Sequence, residues 1–140
     1  MEINIKVFEP PYNKTEFYEH MGDVFSMKTV RRELPYLSND PSRVWFLAFS
    51  GNDLAGFCSL QESETVVDLL CDYVCTAYRG KGVYTRLVDT RMKYASKYNK
   101  PMKIICCGDI FAEMYHRRGF VEVRRTINYR FLTKEIHDAT

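Results

Sequence analysis

Hydrophobic positions recur along this chain with two different periods. From Glu2 to Phe8 polar and apolar residues alternate, with Ile3, Ile5 and Val7 on one side, which predicts a strand. Pro10 and Pro11 stop it, because proline lacks the N–H that a ladder needs. From Thr15 the spacing changes to three and four. Phe17, Met21, Val24 and Phe25 predict a helix, and Met27, Val30 and Leu34 extend it or begin a second one. The segment LPYLSNDPS is rich in turn formers and reads as a loop. The apolar run VWFLAF (residues 44–49), the turn SGND and the run LAGFCSL predict a β-hairpin. After QESE, Thr65 to Val74 predicts another strand, so three antiparallel strands meander through the middle of the chain.

Helical spacing returns from Gly82 to about Tyr98, where Val83, Leu87, Val88, Met92 and Ala95 share one face and Asn99-Lys100-Pro101 ends the run. MKIICC is a short buried strand. Phe111 to Arg118 reads as a helix with Gly119 just past its end. Val121 to Leu132 holds one or two strands. This order predicts a mixed sheet covered by helices.

Composition narrows the picture mainly by exclusion. At 140 residues one domain is expected, long enough to bury a core without disulfides or metals. The formal net charge of +2 does not point to nucleic acid. The N-terminus lacks the apolar stretch of a signal peptide, and no segment approaches the roughly 18 apolar residues of a membrane span, so the plain reading is a soluble cytoplasmic protein. Of the five cysteines, most lie in apolar strand-like runs and read as buried free thiols. No C-x-x-C pair suggests zinc, and Cys106 and Cys107 would point to opposite faces of a strand.

One stretch does not fit a purely structural reading. YRGKGVYTRL (residues 78–87) puts two glycines and two cations where a strand gives way to a helix. Glycine lets backbone N–H groups approach a ligand closely, and a helix start offers unpaired N–H groups and partial positive charge, a combination suited to pyrophosphate. Arg79 and Lys81 would add charge at the rim. The plainer alternative is a tight turn with solvated cations. A Walker loop is absent, the dinucleotide pattern lacks its third glycine, and the loop lies mid-chain after antiparallel strands.

The residues DYVCTAYRGKGVYTRLV resemble the acetyl-CoA loop of the GNAT superfamily of N-acyltransferases, whose pattern is Q/R-x-x-G-x-G/A. Arg79 fills the first position, Gly82 the fourth, and Tyr84 the sixth, where Gly or Ala is usual. A second signature of the family, Tyr-x-x-x-Gly-Phe, is matched by Tyr115, Gly119 and Phe120. Both motifs occur in the family's order, and the resemblance covers nearly the whole chain, most loosely over the first 40 residues.

The resemblance implies a GNAT-like α/β (α+β) fold, a mixed, mostly antiparallel central sheet flanked by helices, in a single domain over residues 1–140. It implies that the strand before the loop splays from its neighbour. The pantetheine arm of acetyl-CoA, the co-substrate, would lie in the gap against the backbone of Tyr73, Val74 and Cys75. Arg79, Gly80, Lys81, Gly82, Val83 and Tyr84, with Thr85, would hold the pyrophosphate, chiefly through backbone N–H groups. Tyr115 matches the family's general acid, which protonates the departing thiolate. Where some members carry a glutamate as base, this chain has Asp68, and Asp72 shares its face if no bulge intervenes. A water chain, or no base at all, stays open too. Where the family often has an asparagine seven residues before the tyrosine, this chain has Gly108, and Lys103 stands where other members place a glutamate.

The implied activity is transfer of an acetyl group from acetyl-CoA to a primary amine by direct attack, without a metal. The acceptor is open among a small amine, a protein lysine or N-terminus, and a modified base. Glu33, Tyr36 and Asp40 could attract a cationic acceptor, and Arg31 and Arg32 an acidic one. Homodimers are common in the family. His20, His116 and His137 show no partner pattern. A second reading is a non-catalytic acyl-CoA-binding or interaction module that kept the fold. The missing Asn and Glu favour it, and Tyr115 argues against it.

Overall fold

Continuous apolar runs make strands that are covered on both faces, and two such runs form the centre of this protein. The computed structural model describes residues 2–34 and 37–136. Its strands are β1 (Asn4–Phe8), β2 (Val44–Ser50), β3 (Asp53–Glu62), β4 (Val67–Val74), β5 (Met102–Cys107), β6 (Val121–Arg125) and β7 (Tyr129–Lys134). They form one seven-stranded sheet in the order β1-β2-β3-β4-β5-β7-β6. Every neighbouring pair is antiparallel except β4 and β5. The predicted meander is β2-β3-β4, and the last run is two strands, broken by the turn between Arg125 and Tyr129.

Alternation along β2 shows why the run VWFLAF needs no polar face. Val44, Phe46 and Ala48 enter a core beneath α3 (Val83–Ser96) and α4 (Asp109–His116). Trp45 and Leu47 enter a second core beneath α1 (Lys14–Met21), a 3₁₀ turn at Val24–Ser26, and α2 (Lys28–Glu33). The helical run expected from Thr15 is thus interrupted at Gly22, and Val24 and Val30 reach the core from separate short elements. Among the described residues, no helix is long and apolar enough to cross a membrane.

On α3 the buried residues are Val83, Leu87, Val88, Arg91 and Ala95. Met92, expected on this face, is only half-buried, and an arginine occupies the stripe instead. Cys106 is buried and Cys107 exposed, as strand alternation requires.

Two irregularities shape the middle of the sheet. First, β4 and β5 pair only through Val67–Met102, Asp68–Lys103 and Leu69–Ile104. Beyond Leu69 the strands part, while β5 stays paired with β7 along its whole length. Second, β4 bulges against β3. The register shifts opposite Cys58, and Cys71 takes a left-handed φ of 59°. At the neighbouring Gly56 a Cβ would lie 2.7 Å from the Tyr73 carbonyl oxygen, so β3 passes too close there for any side chain.

Candidate active site

The gap between β4 and β5 opens into a cleft of about 1100 Å³. The glycine loop lies at one end of it, and the bulged part of β4 forms a wall. The loop follows a 3₁₀ turn at Thr76–Tyr78. Gly80 and Gly82 have φ of 74° and 81°, a region that side chains disfavour, which explains the choice of residue. Gly82 caps α3 without any side-chain hydrogen bond, so the first-turn N–H groups of Val83, Tyr84 and Thr85 have no side-chain acceptor. An anion fits this geometry. Val83 buries its side chain and offers only backbone, whereas Tyr84 and Thr85 line the cleft.

The two cations of the loop behave differently from each other. Arg79 turns back across β4: its Nε donates to the Val74 carbonyl (2.8 Å), Nη2 donates to Glu33 (2.7 Å), and the guanidinium lies 5.3 Å from the Tyr73 ring centroid. It therefore ties the loop to α2. Lys81 is exposed, with its Nζ 6.0 Å from the Tyr78 ring. Of the backbone proposed for a pantetheine arm, the Cys75 N–H donates to Ala55 O (2.8 Å) and so faces β3. By alternation, Val74 turns its N–H toward the gap.

The bulge separates the two candidate carboxylates. Val67 and Leu69 enter the core beneath α3, so Asp68 points to the opposite, open face, next to Lys103 across the strand pair. After Cys71 the alternation is reversed, and Asp72 reaches the α3 side. Shared alternation, the condition for one face, does not survive the left-handed residue between them.

Asp72 anchors a buried polar network. Arg91 is fully buried and donates through Nη1 to Asp72 Oδ1 (2.5 Å) and through Nη2 to Oδ2 (2.8 Å), a forked pair. Arg91 also donates to the Ser59 carbonyl (3.1 Å) and to the Tyr115 hydroxyl (2.6 Å). Tyr115 and Tyr84 both donate to Asp72 Oδ2, and their hydroxyl oxygens are 2.8 Å apart. Tyr115 is fully buried and is packed edge-on by Phe120. Burial, then Asp72's negative charge, pushes the Tyr84 phenol well above the usual tyrosine range. Burial does the same to Tyr115, against the opposing pull of Arg91. Both hydroxyls are therefore protonated, and can donate, throughout the neutral range.

Arg91 was not among the residues singled out from the sequence, although a signal for it existed. It sits at i+4 from Leu87 and i−4 from Ala95, in the middle of an apolar stripe, and a cation there requires a buried anion. Of the groups expected to greet an acceptor, Glu33 is paired with Arg79, and Asp40 accepts from Ser42 in a turn. Tyr36 and His137 lie outside the described residues. The open face of β5 and β7 carries Lys103, Ile105, Cys107, Tyr129 and Phe131, and α2 provides Arg32 and Glu33 on another wall of the same cleft.

Solved structures share this architecture. The Escherichia coli protein ElaA superposes with a TM-score of 0.78 at 15% identity, covering 96% of this chain and 100% of that one. An acyl-CoA N-acyltransferase from Pseudomonas aeruginosa gives 0.77 at 17% identity, with 95% and 99% covered. The PaiA N-acetyltransferase of Thermoplasma acidophilum, solved with coenzyme A, gives 0.65 at 15%, with 96% and 99% covered. At these identities the likeness is one of fold. No curated protein matches the chain. The model of the acetyltransferase (GNAT) family matches residues 6–120, which takes in the glycine loop, the β4–β5 gap and the Tyr115 helix, and the chain therefore belongs to that family.

Proposed function

We propose that this protein transfers an acetyl group from acetyl-CoA to a primary amine. The observation that carries the reading is the continuity of the site. A side-chain-free anion cradle at the start of α3 leads along a gap of unpaired strand edge to a bulge, where protonated phenols wait. That sequence of features suits, in order, a pyrophosphate, an extended arm and a thioester. Bound acetyl-CoA supplies an activated acyl carbon and a thiolate leaving group.

The chain's own residues divide the remaining work. Loop N–H groups from Gly80 to Thr85 hold phosphate oxygens, and the Val74 N–H orients the arm as a further strand would. The network that contains Tyr115 provides the proton for the leaving group. Asp68 is the better-placed base for the amine. It lines the cleft on the open face and has no ion-pair partner among the described residues, whereas both Asp72 oxygens are engaged by Arg91. The acceptor amine then lies over Ile105, Tyr129 and Phe131, an apolar and aromatic floor that suits an amine carried on an apolar or aromatic body.

The test has two stages. Saturating acetyl-CoA should raise the melting temperature, since a ligand present at about 100 Kd adds roughly 2.7 kcal/mol to the native state. A panel of aromatic and aliphatic amines and N-terminal peptides, followed by free-thiol release, should then reveal turnover that Asp68→Asn slows by about 10²-fold or more. An unshifted melt together with no heat of binding would rule out the cofactor assignment.

A further inference from the structure

The two phenols differ in what they can reach. Tyr115 is fully buried and does not line the cleft, whereas Tyr84 is half-buried and does. Tyr84 springs from the first turn of α3, yet its hydroxyl meets Asp72 at the bulge, next to the closed end of the β4–β5 gap. An arm anchored by phosphate at the loop and running back along β4 ends at that place. Phe111 packs edge-on against the Tyr84 ring, with centroids 5.7 Å apart, and holds the ring in position. The side chain lies between Tyr115 and the cleft.

Counting protons shows what the pair can do. Two hydroxyl protons serve three contacts: Tyr84 to Asp72, Tyr115 to Asp72, and Tyr84 to Tyr115. When Tyr84 gives its proton outward, its oxygen becomes an acceptor, and Tyr115 can rotate its O–H from Asp72 to Tyr84 without moving a heavy atom. Arg91 keeps a donor on the Tyr115 oxygen throughout and offsets the Asp72 charge. The other titratable groups beside the network, Cys58, Cys71 and Cys106, are thiols held up by burial that carry no charge at neutral pH.

Resting on the acetyl-transfer reading, we propose that the Tyr84 hydroxyl is the group that touches the thioester sulfur and protonates the leaving thiolate, with Tyr115, Asp72 and Arg91 as positioning residues behind it. The N–C bond forms and the C–S bond breaks; the electron pair on sulfur takes the proton from Tyr84 Oη. The Tyr115 O–H donates to the Tyr84 oxygen while that oxygen is deprotonated, and Tyr84, which lines the cleft, regains its proton through solvent from the proton released by the amine.

Coenzyme A itself is the probe, so no acceptor is needed. The methylene beside the sulfur of isotope-labelled CoA, followed by NMR against pH, reports ionisation of the bound thiol. A phenol donating to sulfur stabilises the thiolate, so Tyr84→Phe should raise the bound thiol's pKa by about one unit, a tenfold change in its ionisation constant. Tyr115→Phe should move it by about twofold or less. Tyr84→Ala should match Tyr84→Phe. If Tyr84 merely covers Tyr115, Tyr84→Ala would admit Tyr115 to the sulfur and leave the thiol close to wild type, and the proposal fails. It fails equally if Tyr115→Phe produces the larger shift. Loss of CoA binding by the wild-type protein would overturn the acetyl-transfer reading and this inference with it. Normal binding with an unmoved thiol in Tyr84→Phe would overturn this inference alone.

Discussion

Arg91 is a charge in the least hospitable place in the molecule, and it is tolerated because Asp72 meets it with both oxygens. The forked geometry compensates the cost of burying two charges, but only as long as both partners are present. Arg91→Met keeps the volume roughly constant and strands the Asp72 charge, so it should destabilise the protein by about 3 kcal/mol or more in urea unfolding. Adding Asp72→Asn to Arg91→Met should recover part of that loss, because the amide carries no orphaned charge. A double variant as unstable as the single would mean that the pair contributes through packing alone. The raised phenols make a second prediction at this scale. Since Tyr84 and Tyr115 keep their protons above the usual tyrosine pKa of about 10, turnover should show no alkaline loss from the proton donor below that pH.

Strand β4, the glycine loop and the start of α3 act as one element. The bulge at Cys71 reverses which face the following residues take and carries Asp72 to the α3 side, while parting from β5 frees the Val74 edge. The loop then turns the chain so that the uncapped first turn of α3 lines the same cleft. Gly82→Asp tests that coupling. A Cβ at Gly82 meets nothing within 4 Å, so the fold should survive, at a cost of about 1 kcal/mol for the left-handed φ of 81°. A carboxylate beside the phosphate position should nonetheless weaken CoA binding by at least about 100-fold, read by calorimetry, with native circular dichroism. Unchanged affinity would place the pyrophosphate away from the loop.

At the scale of the whole molecule, two cores clamp the sheet from opposite sides, and the one beneath α3 and α4 buries two thiols that resist ionisation. Burial pushes the Cys58 thiol up to about 12, and the Cys106 thiol likewise to about 12. An unfolded chain releases these protons near pH 8.5. The folded pKa lies above the unfolded one, so the stabilisation is fully present below about pH 8.5 and is lost as the pH rises toward 12. Each thiol should contribute a fall of about 1.4 kcal/mol per pH unit across that window. Cys58→Ala should flatten the slope of urea stability against pH by about that amount, and an unaltered slope would show that Cys58 ionises freely in the native protein.

Local pattern determined much of this. The continuous apolar run of β2, the helical stripe of α3 and the two glycines at the strand–helix junction each follow from side-chain period or backbone freedom, and these act over a few neighbouring residues. The same is true of the motif around Tyr115, whose spacing is set by one helix and its end. Only the tertiary structure decided the rest. A single left-handed residue at Cys71 sent Asp68 and Asp72 to opposite faces, because strand alternation carries no memory across a bulge. Arg79 left the loop's rim for Glu33, 46 positions away in sequence. Tyr84 and Arg91 share a face of α3 at i and i+7, but Asp72 from β4 and Tyr115 from α4 join them through no periodicity. They meet because the desolvation of one buried cation requires an anion, and that anion then gathers every donor within reach.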